Sequence, residues 1–475
     1  MRVAFGVLAS CALLLPAVAR AGDWLRFGYD AQRSSAPAGS TGITERNVGS
    51  LSRLQVRLEG IADSAPAYVR GAVVGGARHD TFFVTTNYGR TYAVDADTGT
   101  ILWRFVPPGI AAWDHTAQIT ESSPLVDPDR AHVYAAAPDG KIHRLDVADG
   151  SETTAGSWPA TVTLDPKHEK IASALNMSRG LLLVAVGSFF GYAPFVGHVV
   201  ALDHTTGGVV NVFNTSCSNR HVLIDPKTCD LGGPGLWGRA GVVVEPGSGR
   251  LLIATANGSF NGRTLWGDSV LELSPDAGRL LQSYTPSNAN YLEGSDLDLG
   301  SSAPAVLTSH LVLQGSKDGK LRLLDLDRLN GRDRTPGRKG GELQTLSAPR
   351  GHEVLTAPAV WRSGGQTWAF VATYSGTGAY RLVPGPKPRL RVVWQNRIGG
   401  SSPVIAGGLL YVYGPLAGGL RVYRPATGKL VAALPAGTGH WNSPIVADGR
   451  IALSEGSANS HHVDGVLDIF RLPAG

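Results

Sequence analysis

The chain has 475 residues, of which 61 are Gly and 29 Pro, and only 17 % are charged, with a formal net charge of +5. That composition favours turns over long amphipathic helices, and the sequence holds no heptad repeat, Gly-rich phosphate loop or long charge run. The charge is too mild to argue for a nucleic-acid partner.

The first element is an export signal. Arg2 precedes an apolar run from Val3 to Ala17, and Ala19-Arg20-Ala21 supplies a small-x-small cleavage pattern. Residues 1–21 are therefore expected to be a signal peptide, with a periplasmic or secreted protein beginning at Gly22. Leu8-Ala9-Ser10-Cys11 also resembles a lipoprotein box, but the apolar run continues past Cys11, which makes a lipid anchor the weaker expectation. No later segment approaches the roughly 20 apolar residues of a transmembrane span.

Downstream, one stretch repeats. Gly89 to Trp103 reads as a glycine turn, an alternating apolar strand, an Asp-x-x-x-Gly turn and another apolar strand. Copies begin at Gly140, Gly197 and Gly319, and weaker ones at Gly267, Gly378, Gly419 and Gly465. A second landmark, a small residue or Ser with Pro, opens most units: Ser64-Ala-Pro66, Ser123-Pro124, Ser302-Ala-Pro304, Thr356-Ala-Pro358, Ser402-Pro403 and Ser443-Pro444. Pro is tolerated at strand starts, so each marks an innermost strand. Two further units open without Pro near Ser173 and Arg239. Hairpin-rich units recurring every 40 to 70 residues or so define an all-β, eight-bladed β-propeller across residues 22–475.

The ring has to close. The copy at Gly465 runs into the C-terminus without an outer strand, so Leu54 to Leu58 is expected to pair with Val466 to Phe470 and hide both edges. Residues 22–53 are expected to wrap the outside. Cys217 and Cys229, the two cysteines that remain after export, are expected to form a disulfide. No Cys-x-x-Cys-His occurs, so no c-type haem is attached to this chain.

Val94-Asp-Ala-Asp-Thr-Gly-Thr-Ile-Leu-Trp103 resembles the repeat of the pyrroloquinoline-quinone (PQQ) type eight-bladed propellers, a repeat that also occurs in the propeller lipoprotein of the outer-membrane β-barrel assembly machine. A more specific similarity to quinoprotein alcohol dehydrogenases runs from Leu236-Trp237-Gly through Asn257-Gly, Tyr284-Thr-Pro286, Asp296 and Asp298 to Lys317-Asp-Gly. That resemblance implies that Trp237 stacks on the quinone, Asn257 binds a metal, Asp296 or Asp298 is the catalytic base, and Lys317 contacts the quinone oxygens. The cofactors it implies are PQQ and Ca²⁺.

In a propeller the loops leading into each blade share one face with the hairpins between second and third strands, so all five residues belong at one mouth. The bland readings are a hairpin turn at Asn257-Gly258, a blade-packing aromatic at Trp237, turn caps at Asp296 and Asp298, and a solvated Lys317. His115, His352, His440, His461 and His462 show no metal-ligand spacing and are read as surface or core histidines.

Two departures matter. Phe189 stands where the family carries a metal-binding Glu, and the adjacent-cysteine pair that roofs the quinone is missing. Two functions follow: an exported dehydrogenase passing electrons from an alcohol or sugar to an external acceptor, or a cofactor-free propeller scaffold that binds an envelope protein.

Overall fold

Eight antiparallel sheets circle one axis in the computed structural model, which describes residues 22–229 and 232–473. The expected signal peptide lies outside the described residues. The first blade runs Ala67–Val74, Ala77–Thr85, Thr91–Asp95 and Ile101–Phe105, from the axis outward. The blades without Pro open at Asn176–Ser178 and Val243–Val244. Within the third blade a further short strand, Glu169–Lys170, pairs with Ser188 and Gly187.

The repeat has a packing cause. The Trp103 indole of the first blade covers Gly150 in the second blade's Asp-x-x-x-Gly turn and donates from Nε1 to the Val147 carbonyl at 2.9 Å. A Cβ on Gly150 would lie 2.6 Å from that ring, and its φ is +74°, so both space and backbone demand glycine. Trp158 over Gly207 and Trp394 over Gly428 repeat the arrangement. The outer strand of one blade is thereby keyed to the turn of the next, as expected when each unit packs only on its neighbours.

Closure takes the expected register. Ser52–Glu59 is the outer strand of the eighth blade, antiparallel to Asp464–Arg471, with Leu54 opposite Ile469 and Leu58 opposite Gly465. Arg53 adds a bidentate pair with the buried Asp468 carboxylate, at 2.9 and 2.8 Å.

The segment before that strand follows the expectation that residues 22–53 wrap the outside only in its later part, where Val48–Ser50 lies against the outer strand Leu430–Leu434 and Glu45 pairs with the exposed Arg424. Its earlier part lies in the axial channel. Backbone N–H groups of innermost strands donate to it in turn: Val126 to Leu25, Val244 to Ala31, Val360 to Ser34 and Ile405 to Ser35, all at 2.8–2.9 Å. Gly449 of the eighth blade donates to Thr41. Trp24, Phe27 and Ile43 are buried, and the Arg33 guanidinium donates to the carbonyls of Phe27, Ala174, Leu175 and Ala240. The physical reason is the inner edge of every blade, whose unpaired N–H groups need acceptors once they leave water.

Cys217 and Cys229 are bridged, as expected, and pin the long connection that leads toward the fourth blade.

Candidate functional site

The mouth of the ring is a cavity of about 520 Å³. Loops leading into blades supply Glu121, Trp237, Arg239, Asp296, Asp298, His440 and Trp441 to its wall, while second-to-third hairpins supply Phe190, Asn257, Lys317 and Asn459. Each group thus comes from a connection anchored at both ends by a strand, and the long one bearing Trp237 and Arg239 is further pinned by the disulfide.

All five residues singled out in the sequence meet on one side. Lys317 Nζ lies 2.5 Å from Asp298 Oδ2, 3.4 Å from Asp296 Oδ1 and 5.3 Å from the centre of the Trp237 ring. The Asn257 backbone N–H donates to Asp298 Oδ1 at 2.7 Å, and its side-chain Nδ2 donates to Asp296 Oδ1 at 3.0 Å. Asp298 thus commits one oxygen to Lys317 and the other to Asn257. Asp296 is the freer carboxylate, its side chain 83 % exposed, on a left-handed residue with φ +54°.

Burial pushes the Asp298 carboxyl above its ordinary range, and the Lys317 ammonium only partly offsets that. For Lys317 burial pulls downward, but the Asp298 and Asp296 carboxylates outweigh it and hold the ammonium above its usual value. The pair is charged at neutral pH on the lysine side throughout.

The opposite wall carries residues that the sequence reading missed. His440 Nδ1 lies 2.8 Å from Asp63 Oδ2 and 3.7 Å from Glu121 Oε1, and Glu121 Oε2 pairs with Lys170 at 2.7 Å. Trp441 meets Trp237 edge to face, with ring centres 6.1 Å apart, and the Arg239 guanidinium lies 5.6 Å from the Trp441 ring. Arg239 also donates to the carbonyls of Asp63, Glu121 and Ala172, tying three loops together at the floor. Glu121 and His440 stand just ahead of the Ser-Pro landmarks of their blades, the position of Asp296 and Asp298 ahead of Ser302-Ala-Pro304. That placement was the available signal, and His440, read as an ordinary core or surface histidine, lines the cavity.

Phe189 does not face the mouth. Its ring packs with Tyr88, Trp113, Ile119 and Ala458, beneath Lys170 Nζ at 5.8 Å, and Phe190 lines the cavity instead. Neither offers a carboxylate.

The donor set can be tested against a planar quinone with a hard cation. Asn257 Oδ1 is buried with no hydrogen-bond partner among the described residues, an orphaned acceptor that a cation would satisfy. Beside it stand two carboxylates, an indole and an ammonium. The residues fit such a group, short of the one carboxylate that Phe189 displaces.

Behind Asn257 lies Asp268, 1 % exposed, whose Oδ1 accepts the Leu299 N–H at 2.9 Å. Burial, reinforced by the nearby Asp298 charge, pushes its carboxyl up to about 7. Because the folded value lies above the unfolded value of about 3.9, its contribution to stability is complete below that value and is lost as pH rises through about 7. The Asp268 contribution should fall by about 1.4 kcal/mol per pH unit between about pH 4 and pH 7 and level off above that. Urea unfolding from about pH 4.5 to 8.5 should show that decline and plateau as the difference between wild type and Asp268→Asn.

The fold is an eight-bladed propeller with a cavity at its mouth. A family model described as outer membrane protein assembly factor BamB matches residues 50–266. The dehydrogenase subunit of a quinone-dependent alcohol dehydrogenase from Acetobacter aceti is 26 % identical over 265 residues, half of this chain. The match spans about a third of that relative's length, 33 %. Among solved structures, the quinohemoprotein alcohol dehydrogenase of Comamonas testosteroni superposes with a TM-score of 0.66 at 16 % identity, over 96 % of this chain and 82 % of that one. BamB from Moraxella catarrhalis superposes with a TM-score of 0.54 at 15 % identity, over 89 % of this chain and 100 % of that one. Together these matches support a PQQ-type propeller family for this chain. At these identities the solved structures speak for the fold alone.

Proposed function

We propose that residues 1–21 export a PQQ-binding dehydrogenase that oxidises an alcohol or sugar and passes the electrons to an external acceptor. The observation that carries this reading is the orphaned Asn257 oxygen set among Trp237, Lys317, Asp296 and Asp298 in one cavity. A fold maintained only as a scaffold has no need to gather an unpaired amide oxygen, a cation and two carboxylates at its mouth.

Trp237 offers its face to the planar ring, and Lys317, held by Asp298, stands where it can donate to the quinone oxygens. Asn257 Oδ1 and the neighbouring carboxylates hold a Ca²⁺-like cation. PQQ, when bound, supplies a two-electron o-quinone oxidant. Asp296, less committed than Asp298, takes the hydroxyl proton of the substrate.

The test is reduction of an artificial dye by protein supplied with PQQ and Ca²⁺, across a panel of alcohols and aldoses. Turnover should fall by about 100-fold or more in Asp296→Asn, the range expected on losing a general base. The competing reading is a scaffold with an envelope partner. It is favoured by the family description matched over residues 50–266 and by the lost carboxylate at Phe189. Absence of turnover with every substrate would favour it.

A further inference from the structure

The wall opposite Asp296 is as carefully built as the expected site, and nothing in the proposed oxidation uses it. Asp63 is fully buried, and its carboxylate accepts the backbone N–H groups of Trp441 at 2.6 Å and Ala458 at 3.0 Å besides the His440 ring. Burial alone would raise its carboxyl, but His440, Arg239 and the Ala458 N–H together hold it below its ordinary range. A carboxylate can only accept, so the His440 nitrogen facing it, Nδ1, carries a proton, and in the neutral ring Nε2 is the acceptor.

Nε2 has no hydrogen-bond partner among the described residues, and the half-buried ring, 22 % exposed, lines the cavity. Asp63, Glu121 and His440 place one ligand atom each within 4.8 Å of one another. A cation there would have to compete with the N–H groups already on Asp63 and with Lys170 on Glu121, beside the Arg239 charge. The cluster is therefore a fixed acceptor rather than a metal site.

We propose that His440, oriented by Asp63, is a specificity-determining residue that accepts a hydrogen bond from a second hydroxyl of the substrate, so that the substrate class is a polyhydroxylated one, a polyol or sugar. This rests on the oxidation proposed above. A simple alkanol has one hydroxyl, which Asp296 uses, and would leave Nε2 facing an apolar chain. A molecule with hydroxyls at both ends satisfies Asp296 and His440 together, and Trp441, 4.8 Å from the His440 ring, offers an indole face to the carbon skeleton between them. A site built to bond a hydroxyl can reject the analogue lacking it by as much as about 10⁴-fold, because its buried polar groups are left unpaired. Asp63 acts only through His440 and is a positioning residue.

The test has one arm that needs no cofactor. In ¹⁵N-labelled protein free of PQQ, the His440 ring should be the Nδ1–H form, and titration with glycerol or an aldose should shift Nε2 whereas 1-propanol should not. An Nε2–H ring, equal shifts with both ligands, or no shift with either overturns the proposal. A shift on adding PQQ alone assigns the wall to the cofactor and also overturns it.

In the second arm, with PQQ and Ca²⁺ present, the ratio of kcat/KM for the polyhydroxylated substrate over 1-propanol should drop by about 100-fold in His440→Leu. His440→Gln, which can still donate to Asp63 and accept from the ligand, should restore part of it. Asp63→Asn should lower the ratio and release the His440 ring from the single Nδ1–H form. An unchanged ratio in a folded His440→Leu protein overturns the proposal while the dehydrogenase reading stands. If the wild type turns over nothing, that reading falls, and the ring-nitrogen titration still decides whether His440 receives a hydroxyl.

Discussion

Removal of residues 22–60 should abolish cooperative folding rather than trim a loose end. The deletion takes away Ser52–Glu59, leaving the whole edge of Asp464–Arg471 unpaired, and strips Asp468 of Arg53. It also removes Trp24, Phe27, Ile43 and Val48, which are buried in one cluster with Val56 and Leu58. Burying one large apolar side chain is worth about 1.5–3 kcal/mol. Six of them rival the roughly 5–15 kcal/mol that holds a whole domain folded. The inner strands would lose acceptors at Leu25, Ala31, Ser34 and Ser35 as well. Scanning calorimetry should show a single sharp transition for the protein from Gly22 and none for the truncated one. A truncated protein melting within a few degrees of the longer one would refute this account of closure.

How much of this could be read in advance follows from where the information lies. The blades were legible because Trp103, Gly150 and their counterparts recur at a fixed phase, and at three blade junctions the same Trp-on-Gly contact joins neighbours. Closure was legible because a strand was missing at one end and a spare one stood at the other. The inner path of residues 22–41 was not. Its partners are backbone groups on six different blades, at separations of about 45 to 400 residues, and backbone N–H groups leave no mark on sequence.

The site divides in the same way. Trp237, Asn257, Asp296, Asp298 and Lys317 follow one another within two blades, so their order carried the resemblance. Asp63, Glu121, Lys170 and His440 come from four blades scattered along the chain. Only the folded ring makes neighbours of Asp63 and His440, 377 positions apart. The bend at Phe189 and Phe190 shows a finer limit: the motif placed an aromatic residue there, but which ring faces the cavity depends on packing against Tyr88 and Trp113.

The other large effect concerns the cofactor itself. Trp237 is expected to supply most of the stacking area beneath a planar ring, and residues of that kind commonly cost 2 kcal/mol or more on truncation, about 30-fold in affinity. Lys317→Ala should cost more. It removes the cation beside the quinone oxygens and also leaves the buried Asp298 carboxylate unpaired and facing an anion. A loss of about 100-fold or greater is expected, together with some loss of thermal stability from the unpaired Asp298, so the titration is made well below the variant's unfolding temperature.

Calorimetric titration of the purified protein with PQQ in the presence of Ca²⁺ is the most direct measurement. One PQQ per chain should bind in the low micromolar range or tighter, weakened about 30-fold by Trp237→Ala and about 100-fold by Lys317→Ala. No binding at tens of micromolar, about the weakest affinity compatible with a resident cofactor, or binding indifferent to both substitutions, would contradict the assignment of this mouth to a quinone.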